Sequence, residues 1–521
     1  MIRFREIGVP ELTSVLEYTM SLPEHDGGYL FKTHLKALPE VFFGGSLRSS
    51  TDEISSAYLK KRARHEISLD YTSENLGFLH ACMIKVGGLF YLLAGPSKVG
   101  KSTYAESLAQ SLGAEVVASD WVAVEKEDDI FFASDLNFAE NLRHHDRCPL
   151  AGIIFLTHMD AAERDAFTPN FDEYYQLLSS TFDEANLEQA AVLSKFWLRH
   201  KNELPLCYAV PTRQNGQEYV SQTLVSLLHR AQTLPEEVGV IGLGALGSQL
   251  AFQLGQLESV TKVHLYNRTP DKTTGYALDM NQAVPEKGSQ VFVPHYQSAE
   301  VFMQASVVFM CFRDQNTPQA VTVHERWQKV AGHIKIMRDY AAEASETHFL
   351  GTIFILTNPM DILTYALYYF SQAEINALRT YQIYGLGLEL DVARQAYYAR
   401  EEGFEIDHSE TIAYGNHSDE FVLSAQVSAE DHERIFDKVK NASRDIRKYI
   451  PRTIFGPVAA AKKSFLAFQN NSTTSLALLQ KKTFLGETIQ FRNGLPLFLS
   501  SNTDEVYEGI LNQNKENSKW G

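Results

Sequence analysis

The chain has 521 residues, of which 44% are hydrophobic and 21% charged, and its formal net charge is −17. This length is too great for one hydrophobic core and predicts two or three globular domains. The acidic charge argues against nucleic acid or an anionic membrane as the main partner. No apolar run is long enough for a membrane span, and the four cysteines show no metal-ligand or disulfide spacing. We therefore expect a cytoplasmic protein with reduced thiols.

The first half predicts a small lobe at 1–75 and a nucleotide-binding domain at 76–233. The segment with the clearest pattern begins with an apolar strand that leads through a glycine-rich loop into a helix. Two further apolar strands follow the helix. The predicted elements are, in chain order, 88–94, 103–112, 115–118 and 152–156.

The glycine-rich loop predicts a nucleoside triphosphate site. Residues 95–102 have the sequence GPSKVGKS, which fits the pattern G-x-x-x-x-G-K-[ST]. Glycines let such a loop curl so that its N–H groups point inward, and the helix that follows adds its positive dipole end. The lysine of the pattern reaches the β- and γ-phosphates, and its hydroxyl ligates Mg²⁺. The residues expected to bind ATP are Gly95, Gly100, Lys101, Ser102 and Thr103.

An acidic residue completes this expected site. Asp120 follows the next strand, where it is placed to hold Mg²⁺ together with Ser102 or to accept a proton from an attacking hydroxyl. The two residues are therefore the candidate magnesium ligands.

Residues 75–165 resemble the HPr kinase/phosphorylase superfamily, which includes the nucleotide domain of ATP-dependent phosphoenolpyruvate carboxykinase. The resemblance implies a catalytic role for His80, 15 residues before the loop, although a structural histidine at a strand start is the alternative. The superfamily has paired aspartates where this chain has Ser119 and Asp120, and a glycine where Lys98 stands. These departures favour a small-molecule hydroxyl over a carrier protein as the phosphate acceptor.

The second half begins after a helix predicted at 219–231, which the segment TLPEE ends. It continues as strand, glycine turn, helix and strand, the order of a βαβ unit with a parallel sheet. The predicted strands are 238–241 and 262–266, and the helix between them is 248–257.

The glycine turn at 242–247, GLGALG, fits the dinucleotide pattern G-x-G-x-x-G. The pattern needs Gly242 for the tight turn, Gly244 for the approach of the pyrophosphate and Gly247 for helix–strand packing. An acid normally ends the second strand of an NAD site, but Asn267 and Arg268 stand there. A guanidinium can pair with a 2′-phosphate, so NADP is favoured over NAD. The alternative is that Arg268 is a solvated turn residue.

Residues 236–460 resemble the lactate/malate dehydrogenase family through ordered motifs. They are LYNR at 265–268, GYALDM at 275–280, TNPMDILTY at 357–365, GLGLELDVAR at 385–394 and GNHSD at 415–419. The resemblance implies a Rossmann dinucleotide-binding domain followed by an α+β substrate domain. We place these domains at 236–370 and 371–511, with a disordered tail at 512–521.

The resemblance also implies the site residues. His417 is the acid/base that exchanges a proton with the carbonyl oxygen, and Asp391 orients and stabilises its imidazole. Arg394 grips the substrate carboxylate with its planar fork. Asn358 binds the carbonyl oxygen or the nicotinamide, and Thr453 forms the substrate wall.

A mobile-loop arginine that polarises the carbonyl is a further family feature. Arg326 has the expected spacing, 32 residues before the TNPMDILTY asparagine, with Arg313 and Arg338 as rivals. At the substrate-discriminating position the chain has Gln319 and Ala320 rather than an arginine, which disfavours oxaloacetate.

The sequence thus predicts an α/β protein in which a P-loop kinase-like domain precedes a Rossmann NAD(P)-binding domain and an α+β substrate domain. The expected activity is bifunctional: reduction of a 2-oxo acid, and phosphorylation of a hydroxyl, with the 2-hydroxy acid product as a candidate acceptor. The alternatives are a nucleotide-sensing regulatory protein, or an active dehydrogenase with an ATP-gated regulatory domain. Both families commonly form symmetric oligomers, so we expect a homo-oligomer.

Overall fold

The computed structural model divides the chain into two compact units. The first comprises Met1–Met159 and Pro169–Gln217, and the second comprises Asp160–Thr168 and Glu218–Gly521. The residues that the structure describes are 68–69, 72–119, 121–135, 148–158, 166–169, 173–174, 176–178, 187–200, 203, 206–212, 217–232, 236–288, 290–314, 330–374, 376–406, 411, 413–417, 420–423, 428–480, 483–492 and 494–498. Most of the expected lobe at 1–75 and all of the expected tail at 512–521 lie outside them.

The described part of the first unit is a mixed sheet with two helices. Its strands are β1 (Leu76–Leu79), β2 (Ala81–Val86), β3 (Leu89–Ala94), β4 (Glu115–Ser119), β5 (Val122–Glu127), β6 (Ile130–Asp135), β7 (Cys148–Thr157) and β8 (Leu206–Pro211). Its helices are α1 (Lys101–Leu112) and α2 (Leu187–His200). The strand order is β1-β5-β6-β7-β3-β2-β4, and β8 pairs with β7.

The predicted strand–loop–helix of the first unit is confirmed. Strand β3 lies parallel to β7, and β7 lies parallel to β8, so the loop leaves the carboxyl end of a parallel strand. Residues 91–94 of β3 are at most 1% exposed, which explains their continuous apolar sequence.

The second unit contains most of the described helices. They are α3 (Gln217–Gln232), α4 (Ala245–Gly255), α5 (Pro270–Gln282), α6 (Ser298–Gln304), α7 (Ala331–Glu346), α8 (Met360–Ser371), α9 (Leu388–Glu401), α10 (Ala429–Ile446) and α11 (Phe455–Gln469). Short 3₁₀ turns occur at Pro285–Lys287 and Thr380–Gln382.

The strands of this unit form one long sheet. They are β9 (Glu237–Ile241), β10 (Lys262–Tyr266), β11 (Phe292–His295), β12 (Val307–Met310), β13 (Thr352–Ile355), β14 (Ile383–Gly385), β15 (Ala413–Asn416), β16 (Glu420–Leu423), β17 (Thr473–Gln480), β18 (Thr483–Arg492) and β19 (Leu495–Phe498). The order β11-β10-β9-β12-β13-β14 is all parallel, and numbered from β9 it is 3-2-1-4-5-6, the order of a Rossmann fold.

The Rossmann half does not end at residue 370, where the motif analysis placed its boundary. Strand β14 continues the parallel sheet, and β17 then pairs with it antiparallel at Gly385 and Ala477. The order continues β17-β18-β15-β16, with β19 on β18. The expected dinucleotide and substrate domains therefore share a single sheet.

The unit boundary also differs from the expected position near 234. Helix α3 packs on the rest of the second unit, where Arg230 donates hydrogen bonds to the backbone oxygen of Tyr381 at 3.2 Å and to Thr352 Oγ1 at 2.6 Å. The guanidinium of Arg379 lies 3.7 Å from the ring centroid of Tyr219 on the same helix. The apolar face that the sequence predicts is buried. Helix α3 therefore belongs to the second unit and not to the domain predicted at 76–233.

The core of the second unit lies on both faces of its sheet. One cluster includes Val238, Val263 and Phe309 and extends to Phe465 of α11, while another includes Ile353 and packs under α7 and α8. Within the described ranges, no helix combines the length and apolarity needed to cross a membrane.

Candidate active site

His417 and Asp391 form a hydrogen-bonded pair. Asp391 lies in the first turn of α9, and His417 directly follows β15. His417 Nδ1 lies 2.5 Å from Asp391 Oδ2, and the two side chains are 13% and 2% exposed. Because a carboxylate can only accept, Nδ1 carries the shared proton, and Nε2 is left to exchange a proton with another group.

Arg394 shares the same carboxylate. It lies three residues after Asp391 on α9, so the two side chains lie on one helix face. Arg394 Nη1 donates to Asp391 Oδ1 at 3.2 Å, and the Arg394 side chain is 13% exposed. This contact holds the guanidinium through one nitrogen, and among the described residues its other donors have no acceptor, so they can bind an anion.

Gly387 makes room for the imidazole at the start of α9. A Cβ at this position would lie 2.4 Å from His417 Cγ and 2.6 Å from Met360 Cε. The His417 ring therefore packs directly on backbone. The sequence shows this glycine in the motif GLGLELDVAR, but only the structure shows its reason.

The predicted dehydrogenase residues meet in one cavity of about 210 Å³. Five of them line it: Asn358, Asp391, Arg394, His417 and Thr453. Its other lining residues are Leu246, Leu356, Leu386, Gly387, Glu389, Leu390, Val439, Lys440, Ser443, Pro457 and Ala460. The cavity thus brings together a proton donor, a guanidinium, an amide and a hydroxyl against an apolar wall.

Asn358 reaches the cavity from the loop between β13 and α8. Its side chain is exposed, and its peptide bond to Pro359 is cis. Because it follows parallel strand β13, Asn358 stands at the carboxyl edge of the sheet, where open α/β sheets bind their ligands.

Asp361 is a second buried carboxyl near the pair, three residues after Asn358 in the first turn of α8. Burial raises its pKa to about 7, against the lowering effect of His417, whose backbone N–H also bonds to this carboxyl, and the further raising effect of Asp391. Its Oδ1 has no hydrogen-bond partner among the described residues. Asp361 lies in the motif TNPMDILTY, but the motif alone predicts no role for it.

The dinucleotide loop has the shape that its glycines predict. Gly242 has a φ of 100°, and its N–H donates to the backbone oxygen of Tyr266 at 2.8 Å. A Cβ on Gly247 would lie 2.0 Å from the Gly242 oxygen, so this glycine permits the close approach of helix and strand. Gly244, at the start of α4, has nothing within 4 Å of a built Cβ. Its open side is the space that a pyrophosphate would take.

The residues after β10 lie where the adenosine ribose of a dinucleotide would bind. Asn267 is half-buried, and Arg268 is exposed. Arg268 Nη2 donates to the backbone oxygen of Arg313. The guanidinium thus lies across the loops that follow β10 and β12, and no acid occupies the end of β10.

The glycine-rich loop at residues 95–102 of the first unit has left-handed backbone at three positions. Gly95 and Gly100 have φ values of 138° and 98°, and Lys98 has a φ of 67°. Lys101 is 8% exposed, and its Nζ donates to the oxygens of Gly95 at 2.8 Å and Pro96 at 3.0 Å. Ser102 and Thr103 are exposed in the first turn of α1.

Strand register brings His80 next to this loop. Ala81 pairs with Ala94, which places His80 opposite Gly95, and Cys82 pairs with Ser119 at the end of β4. The His80 ring lies 5.9 Å from the Trp121 ring. Asp120, which follows Ser119, lies outside the described residues.

The expected mobile-loop residues Arg326, Gln319 and Ala320 also lie outside the described residues. Of the two rival arginines, neither Arg313 nor Arg338 is among the residues that line the described cavity. Glu389, Lys440 and Ser443 also line the wall but were not predicted as site residues. Glu389 lies within the motif GLGLELDVAR, whereas nothing in the local pattern of Lys440 and Ser443 distinguishes them from surface helix residues.

Comparison with known proteins identifies part of the second unit. The model of the lactate/malate dehydrogenase NAD binding domain matches residues 236–378. The L-lactate dehydrogenase of Bacillus licheniformis is 27% identical over 263 residues, covering 46% of this chain and 78% of that protein. That of Macrococcus caseolyticus is 26% identical over 296 residues, covering 53% and 90%.

Two solved structures are also similar to the chain. The Cryptosporidium parvum lactate dehydrogenase complexed with lactic acid and nicotinamide adenine dinucleotide has a TM-score of 0.47 and 18% identity, covering 55% of this chain and 98% of that one. The Archaeoglobus fulgidus malate dehydrogenase in complex with NADH has a TM-score of 0.46 and 18% identity, covering 54% and 96%. On the family model and the Rossmann strand order, residues 236–378 are a lactate/malate dehydrogenase NAD-binding domain.

Proposed function

We propose that the second unit interconverts a 2-oxo acid and a 2-hydroxy acid with NAD(P)(H). The observation that carries the proposal is the cavity that joins the His417–Asp391 pair to Arg394 and Asn358. A proton donor, a carboxylate-binding fork and an amide are the groups that reduction of such an acid needs.

The residues divide the work as follows. Arg394 binds the substrate carboxylate, which fixes the neighbouring carbonyl. His417 donates the proton of Nε2 to the carbonyl oxygen in reduction and accepts it back in oxidation. Asp391 accepts a hydrogen bond from the Nδ1–H throughout, so it stabilises the imidazolium and keeps Nε2 directed to the substrate. When bound, the reduced nicotinamide supplies the hydride for the carbonyl carbon.

The dinucleotide fits the loop of residues 242–247. The space beside Gly244 and the N-terminus of α4 suit a pyrophosphate. We propose NADP as the preferred cofactor because Arg268, and not an acid, stands beyond β10. To bind a 2′-phosphate, Arg268 would exchange its hydrogen bond to the Arg313 oxygen for a charge-assisted one.

The test follows the absorbance of NADPH and of NADH against a panel of 2-oxo acids. We expect oxidation with at least one acid, and a loss of about 10²- to 10⁴-fold in kcat for His417→Ala because general acid catalysis is removed. His348→Asn is the matched control, since it removes an exposed histidine at a φ of 53° that asparagine tolerates. Activity that survives in His417→Ala would show that another group donates the proton.

For the first unit we propose ATP binding and phosphoryl transfer to a small-molecule hydroxyl, with the 2-hydroxy acid product as a candidate acceptor. The buried Lys101 ammonium and the glycine geometry of its loop support the phosphate site. The strand register that sets His80 beside Gly95 supports a catalytic role for His80 next to the phosphate site. Ser102 and Asp120 are the residues proposed to hold Mg²⁺.

The coupling of the two activities has its own test. Labelled ATP is supplied with the enzymatically formed hydroxy acid, and phosphate transfer to that acid is measured. Reduction without any transfer would remove the coupling. Nucleotide binding without turnover in either unit would favour the sensing alternative, and turnover in the second unit alone would favour an ATP-gated regulator.

A further inference from the structure

Lys440 is a cation in the cavity wall that the proposed reaction does not use. It lies three residues before Ser443 on α10, so the two side chains share a helix face, and both line the cavity that contains His417. The adjacent Val439 is 1% exposed and packs α10 into the same cluster as Leu388 of α9. The wall that carries Lys440 is therefore anchored to the helix that carries the catalytic groups.

The Lys440 ammonium is held in place without an acidic partner. Its Nζ lies 4.7 Å from the ring centroid of Phe436, one turn earlier on α10. Lys440 is half-buried, and no carboxylate of the described residues pairs with it. A partly buried charge without a counter-charge is unfavourable, so an anion that enters the cavity gains by binding there.

The acids of the cavity wall are already balanced. Asp391 is shared by the imidazole and the guanidinium of the catalytic site. Glu389 pairs with Lys463, whose Nζ lies 2.5 Å from Oε1, and its Oε2 accepts hydrogen bonds from Thr474 and Ser475. Lys440 is therefore a cation of the wall that no acid of the described residues balances.

We propose that the substrate is a 2-oxo acid whose side chain carries a second anionic group, a carboxylate or a phosphate, bound by Lys440 and Ser443. The inference rests on the proposed reductase activity and specifies its substrate class. Arg394 binds the carboxylate next to the carbonyl, and Lys440 binds the far end. Recognition from α10 is independent of Gln319 and Ala320, at which the chain lacks a second arginine.

The experiment compares kcat/KM for 2-oxoglutarate and a phosphorylated 2-oxo acid, 3-phosphonooxypyruvate, with that for the neutral 2-oxohexanoate. We expect the wild type to prefer one of the two dianionic acids, which also identifies the far group. Lys440→Met should lower kcat/KM for that acid about 10- to 100-fold, the range of one charged hydrogen bond. The ratio between dianionic and neutral acids should fall by the same factor, and raised salt should weaken the wild-type preference.

Lys448→Met is the matched control, because it removes an exposed lysine just beyond α10 that pairs with Asp445 at 2.8 Å. It should leave the ratio unchanged. A wild type that prefers the neutral acid, or a Lys440→Met variant that changes all acids equally, would overturn the inference while the reductase proposal stands. No oxidation with any acid or cofactor would overturn both.

Discussion

Asp361 is a residue whose burial changes the pKa of its carboxyl. Its carboxyl lies beside His417, and burial raises its pKa from the ordinary 3.8 to about 7. The folded protein thus holds this proton more tightly than the unfolded chain does. Folding stability from this group is greatest at low pH and falls as the pH rises from about 4 to about 7.

The substitution Asp361→Asn should remove that fall in stability. The amide keeps an oxygen that can accept the His417 backbone N–H but has no charge to bury. The raised pKa corresponds to up to about 4 kcal/mol at pH 8.5, so the variant should unfold at a higher temperature than the wild type there. At pH 5 the difference should be smaller, about 1.6 kcal/mol, because only part of the fall between pH 4 and pH 7 has occurred. The measurement is the melting temperature of the transition that the nicotinamide cofactor raises.

Asp339→Asn, an exposed aspartate on α7, is the control and should show no such pH-dependent difference. If Asp361→Asn changed the melting temperature equally at pH 5 and pH 8.5, the carboxyl would be ionised at both.

The site residues divide into those that motifs reveal and those that only packing reveals. His417, Asp391, Arg394, Asn358 and Thr453 lie in motifs or at expected spacings, and the structure places all five on one cavity. Lys440 and Ser443 lie on a charged surface helix, and their approach to the cavity depends on how α10 packs on α9. A sequence pattern does not contain that information.

At the level of elements, the strand–loop–helix at 237–255 combines glycines of two kinds. Gly242 and Gly247 are needed by the protein itself, since a Cβ on either would lie within 3 Å of backbone. Gly244 has open space and a φ of −79°, which any residue adopts. The fold therefore does not require a glycine at this position, and the open space beside it suits a bound ligand.

Gly244→Ala should therefore leave melting temperature without cofactor nearly unchanged and weaken cofactor binding by at least about tenfold, because the methyl group meets the pyrophosphate. Fluorescence titration of NADPH and NADH measures the dissociation constants. Gly275→Ala in α5 is the control, with nothing within 4 Å of its built Cβ. It should stabilise the helix by up to about 1 kcal/mol and leave binding unchanged. Equal binding by Gly244→Ala and wild type would place the dinucleotide elsewhere.

The bounds of one strand were predicted as the structure has them, and those of two other elements were not. The strand predicted at 262–266 is confirmed as Lys262–Tyr266. The helix predicted at 248–257 lies at Ala245–Gly255, because it begins directly after Gly244 and includes the last glycine of the motif. The strand predicted at 152–156 is longer, Cys148–Thr157, since Pro149 is tolerated next to its start.

At the scale of the whole molecule, the two glycine loops predict two separable nucleotide effects. Any ligand that binds only the folded state stabilises it by about 2.7 kcal/mol at 100 times its dissociation constant. We expect Mg²⁺-ATP and the nicotinamide cofactor each to raise a melting temperature in the wild type. Lys101→Ala should abolish the ATP effect and keep the cofactor effect, because it removes the ammonium held at Gly95 and Pro96.

Lys98→Ala would be a poor control because its backbone has a φ of 67°. Lys85→Ala on β2, outside the loop, is the better one and should keep both effects. An ATP effect that survives in Lys101→Ala would exclude the P-loop as its site.

The sequence predicted the α/β class and the start of the Rossmann half, because both depend on local periodicity and turn chemistry. It did not predict that β14 and β17 join the two halves of the second unit in one sheet. Nor did it predict that α3 packs on that unit through Arg230. Both features depend on contacts between residues more than 90 positions apart, which local patterns do not record.

The β14–β17 junction has a consequence for synthesis of the chain. Until Thr473–Gln480 emerges, the hydrogen-bonding edge of Ile383–Gly385 has no partner strand. At about 5–20 residues per second, the roughly ninety residues between them take about 5–20 s to translate. During that interval an apolar sheet edge is open to pairing with other chains, as unprotected edge strands are. The nascent protein is therefore exposed to aggregation at this edge after its dinucleotide half is made and before Thr473–Gln480 covers the edge.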